Sequence, residues 1–204
     1  MGHALLNRLL RYAKAHLAGE HDGPVARPES GQVLYVIGDI HGRADLLHRL
    51  VGQIDRHRLT LDDADAIEVF LGDLIDRGSA SRQVIDTLIE RRKQGKRLMT
   101  LRGNHEEMLM QFLQDARVLD NWRNAGGYPT LQSYGVTPPV FYSDEAAESC
   151  RAEFLRAFPQ SHRTFLEETS LWFENGDYYF AHAGVDPARD LSQQRPEDLL
   201  WIRD

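Results

Sequence analysis

Residues 32–42 read "QVLYVIGDIHG", an apolar, β-rich run that closes on two glycines enclosing an aspartate and a histidine. Taken alone, Asp39 and His41 have an ordinary explanation, since glycine permits a tight turn and aspartate caps a following helix. The same grammar then returns twice. "AIEVFLGDLIDRG" (66–78) and "KRLMTLRGNHE" (96–106) again pass from an apolar run into a glycine-containing polar loop. A helix-period stripe follows each loop: Leu46, Leu47, Leu50, Val51 and Ile54, then Val84, Ile85, Leu88 and Ile89, then Met108, Leu109, Phe112 and Leu113. Strand, loop and helix three times over predict an α/β fold with a parallel or mostly parallel sheet covered by helices. Ligands of such sheets bind outside the carboxyl ends of the strands, where all three polar loops fall.

The chain has 204 residues, 42% of them hydrophobic, enough for one substantial core. Its formal net charge of −7 comes from 31 acidic against 24 basic residues, and the basic ones are scattered. No electrostatic footprint for nucleic acid results. Cys150 is the sole cysteine, so an intrachain disulfide and the cysteine-rich zinc modules are excluded, and a cytoplasmic location is expected. We read the thiol as structural.

Before the first unit, residues 1–30 divide into a basic amphipathic helix and a linker. Leu5, Leu6, Leu9, Leu10, Ala13 and Leu17 recur at helical spacing with Arg8, Arg11 and Lys14 between them. We read this helix as packing on its own domain or on another subunit, with a membrane-surface contact as the alternative. "HDGPVARPESG" (21–31) lacks periodicity and reads as a linker, and the body of the domain spans 31–204. The stretch from Asn121 to Phe141 reads as an irregular insertion bordering the site. Phe154, Leu155, Phe158, Phe165 and Leu166 are expected in the core, and "LWFENGDYYFAHAG" (171–184) is a hairpin turning about Asn175–Gly176.

Asp39, His41, Asp73, Asn104, His105 and His182 all fall just past predicted strands, so one sheet edge collects them. Carboxylates, an amide oxygen and imidazoles form a mixed oxygen and nitrogen set suited to Mn, Fe or Zn. Clustered carboxylates repel one another, and two divalent ions sharing one of them remove that cost. Arg77 and Arg102 bring forked donors suited to phosphate oxygens, although a surface ion pair explains Arg102 equally well. His105 can protonate a departing oxygen, with Asp76 orienting its ring. His3, His16, His21, His48, His57 and His162 have no such company and are expected at the surface.

In this order, "GDIHG", "GDLIDRG", "RGNHE" and "HAG" resemble the metallophosphoesterases of the serine/threonine phosphoprotein phosphatase family, in particular its bacterial and phage branch. The resemblance runs from about Gln32 to the last residue. It implies a four-layer α/β/β/α sandwich in place of a single parallel sheet. It further implies that Asp39 and His41 bind a first metal, Asp73 bridges two, and Asn104 and His182 bind the second. Arg77 would then hold phosphate, and His105 would act as general acid supported by Asp76. "LLWIRD" (199–204) resembles a segment whose arginine reaches the substrate, which makes Arg203 a further phosphate ligand. Family members continue into closing strands and a last histidine in a "HGHT"-like motif, so the expectation is a C-terminally incomplete domain.

The implied activity is hydrolysis of phosphomonoesters, foremost phosphoserine and phosphothreonine in proteins, by water activated at a dinuclear, manganese-type centre. Dinucleoside polyphosphate hydrolysis is the alternative enzymatic reading. A non-catalytic phosphate-binding module is the third.

Overall fold

The computed structural model describes residues 25–61 and 65–203. Three parallel strands in the order β1 (Gln32–Ile37), β2 (Asp65–Phe70) and β3 (Arg97–Thr100) form the main sheet. Register is continuous across it, with Ile37 beside Phe70 and Phe70 beside Thr100, so the three carboxyl ends finish level. Helix α1 (Ala44–Arg58) carries the chain from β1 to β2, α2 (Ser81–Lys93) from β2 to β3, and α3 (Asn104–Gln114) leaves β3. The predicted parallel units are therefore present.

β2 is buried on both faces: Phe70 joins the helix-covered core while its neighbour Val69, equally inaccessible, points to the opposite side. The core on the helix side joins Leu47, Val51 and Ile54 of α1 to Val84, Ile85 and Leu88 of α2 and Leu109 and Phe112 of α3. Leu46 and Leu50 do not belong to it; both are exposed, because the buried stripe of α1 follows Ala44, Leu47, Val51 and Ile54 and they sit off that line.

The stretch expected to be irregular is mostly helical. Two short helices, α4 (Leu119–Ala125) and α5 (Tyr128–Ser133), are hinged at Gly126, which adopts φ 104°. At seven and six residues they are too short to show a periodic stripe. Helices α6 (Asp144–Ala157) and α7 (Gln160–Glu167) then bury Phe154, Phe158, Phe165 and Leu166, with Leu155 partly buried. His162 of α7 is buried rather than superficial, held between Tyr134 Oη (2.8 Å) and Asp86 Oδ1 (2.9 Å). Cys150 is a buried free thiol that burial pushes up to about 11, which fits a structural role.

A second sheet is the predicted antiparallel hairpin, β4 (Trp172–Asn175) and β5 (Tyr178–Ala181), turning through Gly176–Asp177. Residues 25–30 are docked on that hairpin rather than serving as a free linker: Arg27 N donates to Asp177 Oδ2, Asp177 N returns to Arg27 O, and Glu29 N donates to Asn175 Oδ1. The N-terminal amphipathic helix lies outside the described residues. A last helix, α8 (Pro196–Trp201), packs beside the end of β5 through Ala183 N and Leu199 O.

Candidate metal centre

The three loops at the sheet's carboxyl edge are locked together by their backbones. Ile40 N and His41 N both donate to Asp73 O, and Gly42 N donates to Leu74 O. Such close approach needs glycine: a Cβ on Gly78 would lie 2.3 Å from His41 O, and one on Gly72 would lie 2.4 Å from Gly103 N. Four neighbours without that excuse also take positive φ, namely His41 (45°), Asp73 (50°), Asp76 (73°) and Arg77 (64°). Left-handed backbone at non-glycine residues costs of order 1–3 kcal/mol each and concentrates at functional sites.

Glu106, to which the sequence reading gave no role, is the internal anchor of these loops. It is fully buried and accepts from the backbone N–H groups of Gly103, Asp73, Leu74 and Ile75. Burial, reinforced by the charge of Asp73, pushes its carboxyl up to about 7. The signal available in the sequence was the capping position, a glutamate three residues after Gly103 at the start of α3.

On this frame the ring nitrogens are oriented by carbonyls. His41 Nδ1 meets Ile75 O at 3.0 Å and His182 Nδ1 meets Leu71 O at 2.9 Å. A carbonyl only accepts, so each Nδ1 carries a hydrogen and Nε2 is the ring nitrogen turned toward the cluster. His182 Nε2 lies 3.0 Å from Asn104 Oδ1 and 3.4 Å from Asp73 Oδ1. His41 Nε2 lies 3.6 Å from Asp73 Oδ2 and 3.7 Å from Asp39 Oδ2. Two ring nitrogens, two carboxylates and an amide oxygen thus converge, a mixed oxygen and nitrogen set that fits divalent metal. Two groups have ligand atoms within 4.8 Å of one another, His41–Asp73–His105 and Asp39–Asp73–His182, and Asp73 belongs to both.

The five residues read as metal ligands, Asp39, His41, Asp73, Asn104 and His182, thus come together. His105 adjoins them as well as Asp76, with Nε2 3.8 Å from Asp73 Oδ2 and Nδ1 2.6 Å from Asp76 Oδ2. Burial disfavours its imidazolium, but the Asp76 hydrogen bond and the charges of Asp73 and Asp76 outweigh that, and its pKa is raised. Arg77 spreads its guanidinium between His41 Nε2 (2.8 Å) and His105 Nε2 (3.2 Å).

Two expected phosphate ligands stand differently. Arg102 is tied within the protein: Nε donates to Thr169 Oγ1, Nη1 to Glu107 Oε2 and Nη2 to Leu166 O. Arg203 is exposed in the segment after α8, and no contact among the described residues ties its side chain to the cluster. The sequence reading also missed Trp122 and Thr130, which reach Asp76 from α4 and α5.

Fold and site together define a class, the metallophosphoesterases, in which the loops of a layered α/β domain carry divalent metals at the ends of its strands. Residues 33–204 match the calcineurin-like phosphoesterase family, and the chain belongs to it. Members use dinuclear divalent metals, and the residues described above could hold them.

Among curated proteins, the chain is 28% identical over 155 residues to an asymmetrical bis(5'-nucleosyl)-tetraphosphatase, PrpE, of Anoxybacillus flavithermus, covering 74% of this chain and 56% of that protein. It is 26% identical over 162 residues to a symmetrical bis(5'-nucleosyl)-tetraphosphatase of Vibrio campbellii, covering 79% and 48%. A solved structure provisionally described as a diadenosine tetraphosphatase superposes with a TM-score of 0.54 at 19% identity, covering 88% of this chain and 62% of that one. The chain therefore spans about half the length of these two curated relatives. Their names are those of nucleoside tetraphosphatases, so the motif resemblance holds for the wider family and not for its protein-phosphatase branch in particular. Among the described residues, no helix is long and apolar enough to cross a membrane.

Proposed function

We propose that this chain is a metal-dependent hydrolase of dinucleoside polyphosphates. The observation that carries the hydrolytic part is Asp73, whose Oδ2 faces His41 and His105 and whose Oδ1 faces His182, with Arg77 alongside. The substrate class is taken from the names of the relatives, and the cytoplasm is the location that goes with it. Asp39, His41, Asp73, Asn104 and His182 would hold two divalent ions, Mn²⁺ foremost, with Fe and Zn compatible with the same donors. When bound, such ions supply Lewis-acid polarisation of phosphoryl oxygens and acidify water at neutral pH.

The protein's own groups do the rest. Arg77 presents a fork that matches two phosphoryl oxygens and neutralises charge that builds on them. His105, its Nδ1 held by Asp76, delivers a proton from Nε2 to the departing oxygen. That arrangement also favours a second reading. A departing phosphate needs little protonation and a departing alkoxide much, so the Asp76–His105 pair is of greater use on phosphoserine or phosphothreonine esters.

Turnover of diadenosine tetraphosphate and of a phosphoserine peptide by the Mn²⁺-loaded protein, measured in parallel, separates the readings. We expect faster consumption of the tetraphosphate, and loss of most turnover in both Asp73→Asn and His105→Asn with the fold retained. Faster dephosphorylation of the peptide would move the assignment to a protein phosphatase. Metal binding without hydrolysis of either would leave a phosphate-binding module, and full activity in both variants would remove the site itself.

A further inference from the structure

Asp76 carries more contacts than the orientation of one imidazole requires. Its side chain is fully buried, and its Oδ2 accepts from both His105 Nδ1 (2.6 Å) and Trp122 Nε1 (2.7 Å). Its Oδ1 accepts from Thr130 Oγ1 at 2.6 Å. The hydroxyl of Thr130 has one hydrogen and spends it there. Ser81 Oγ, 2.9 Å away, must therefore donate to Thr130 Oγ1, while Asp76 N donates to Thr130 Oγ1 (2.9 Å) and Ser81 Oγ (3.1 Å). Every polar atom of this buried set has a partner, in a backbone conformation (φ 73°) that aspartate adopts only under constraint.

Helices α4 and α5, which the sequence placed only at the border of the site, fix the same loop at three points. Trp122 comes from α4, Thr130 from α5, and Gly126 O between them accepts from Arg77 N at 2.9 Å. The hinge admits nothing larger than glycine, because a Cβ on Gly127 would lie 2.5 Å from the Trp122 ring. Trp122 in turn packs against Phe112 and Phe154, so its indole N–H is aimed by the core.

We infer that Trp122 and Thr130 are positioning residues for the proton-donating step: by holding both oxygens of Asp76 they fix the imidazole of His105 toward the departing oxygen. This rests on the reading of His105 as general acid. Neither residue touches the metal-ligand cluster, so loss of either is expected to act on protonation of the leaving group and to spare metal binding.

The test compares Thr130→Val, Thr130→Ser and Trp122→Phe in the full Mn²⁺-loaded chain, on p-nitrophenyl phosphate and on an alkyl phosphate such as phosphoserine peptide. p-Nitrophenolate departs without a proton; an alkoxide does not. Thr130→Val and Trp122→Phe are expected to lower kcat on the alkyl ester by about tenfold to a hundredfold with KM held, and to change the nitrophenyl reaction little. Thr130→Ser keeps the hydroxyl and should keep both rates. Independently of turnover, the His105 Nδ1–H proton, followed by NMR in imidazole-labelled protein, should move upfield and exchange faster in Thr130→Val and Trp122→Phe but not in Thr130→Ser. Equal losses on the two esters, or an unmoved His105 proton, would overturn the proposal. Should the parent hydrolyse neither ester, the phosphomonoesterase reading fails, turnover of diadenosine tetraphosphate still decides the main one, and the His105 proton decides the positioning role independently of both.

Discussion

Two polar networks lie on the same sheet, one toward its middle and one at its carboxyl edge, and they are balanced in opposite ways. Toward its middle, Glu68 and Asp55 are matched by Arg91, Arg58 and Lys96, with Arg91 reaching Asp55 at 2.9 Å and both oxygens of Glu68. At the carboxyl edge, Asp39, Asp73, Asp76 and Glu106 crowd together, and among the described residues no lysine or arginine pairs with any of them. Arg77, the guanidinium at that edge, instead faces two histidine nitrogens. The first network is electrically closed and belongs to the fold. In the second, Asp76 and Glu106 are met by neutral donors, while Asp39 and Asp73 face ring nitrogens and an amide oxygen with no cationic partner, which sets this edge apart as the candidate functional one.

The contrast breaks most visibly at Arg91, whose side chain is 6% exposed against a Glu68 that is 0% exposed. Arg91→Ala strands a buried carboxylate and is expected to cost about 3–5 kcal/mol in urea unfolding, while turnover per folded molecule stays unchanged. Arg91→Met combined with Glu68→Met removes both charges and should recover most of that loss, because buried pairs are often replaceable by apolar residues. A comparable loss of activity in Arg91→Ala would mean that the two networks are one.

The carboxyl edge should respond in the reverse sense. Mn²⁺ at a hundredfold excess over its Kd is expected to add about 2.7 kcal/mol of stability, or roughly 5–10 °C in Tm for a chain of this size, and EDTA should reverse it. Asp73→Asn should abolish the increment and, in EDTA, unfold no earlier than the parent, since it removes one of four crowded charges. Arg91→Ala should keep the full increment. An Asp73→Asn protein that still gains stability from Mn²⁺ would place the metal elsewhere.

Most of the ligand set was legible because it is local. Asp39, His41, Asp73 and Asn104 each sit within a few residues of the end of an apolar run, beside a glycine, and a parallel sheet brings such positions to one edge. His182 followed from the hairpin signal. What escaped the reading depends on distant partners: Trp122 and Thr130 meet Asp76 from 46 and 54 residues away, on helices of two turns or less. Glu106 was overlooked because its capping position announces only the bond to Gly103 N, whereas the backbone amides of Asp73, Leu74 and Ile75 come from a loop some thirty residues away. Arg102 was ambiguous for the opposite reason, since a guanidinium beside a strand end suits phosphate and an ion pair alike, and the structure pairs it with Glu107, Thr169 and Leu166.

The smallest expected effect concerns two histidines that sequence reasoning separates for the wrong reason. His105 and His162 are both buried and both bonded to an aspartate, yet the fold raises the pKa of the first and lowers that of the second. The aspartates differ. Asp76 is buried and seconded by Asp73, whereas the side chain of Asp86 is 56% exposed, so water screens its charge and burial governs His162. A neutral His162 also satisfies its neighbours, accepting from Tyr134 Oη at Nδ1 and donating from Nε2 to Asp86. With the folded value below the ordinary value of about 6.5, the unfolded chain takes up the proton first. Stability contributed by the neutral ring is therefore complete above about pH 6.5 and is lost as pH falls through the folded value. His162→Gln should flatten that part of the parent's stability profile between pH 7 and 5, measured by urea unfolding in EDTA so that metal release does not contribute. A slope unchanged by the substitution would show that the fold leaves the proton affinity of this ring unaltered, and a steeper fall toward low pH would show that Asp86 holds it charged, as the buried carboxylate does for His105.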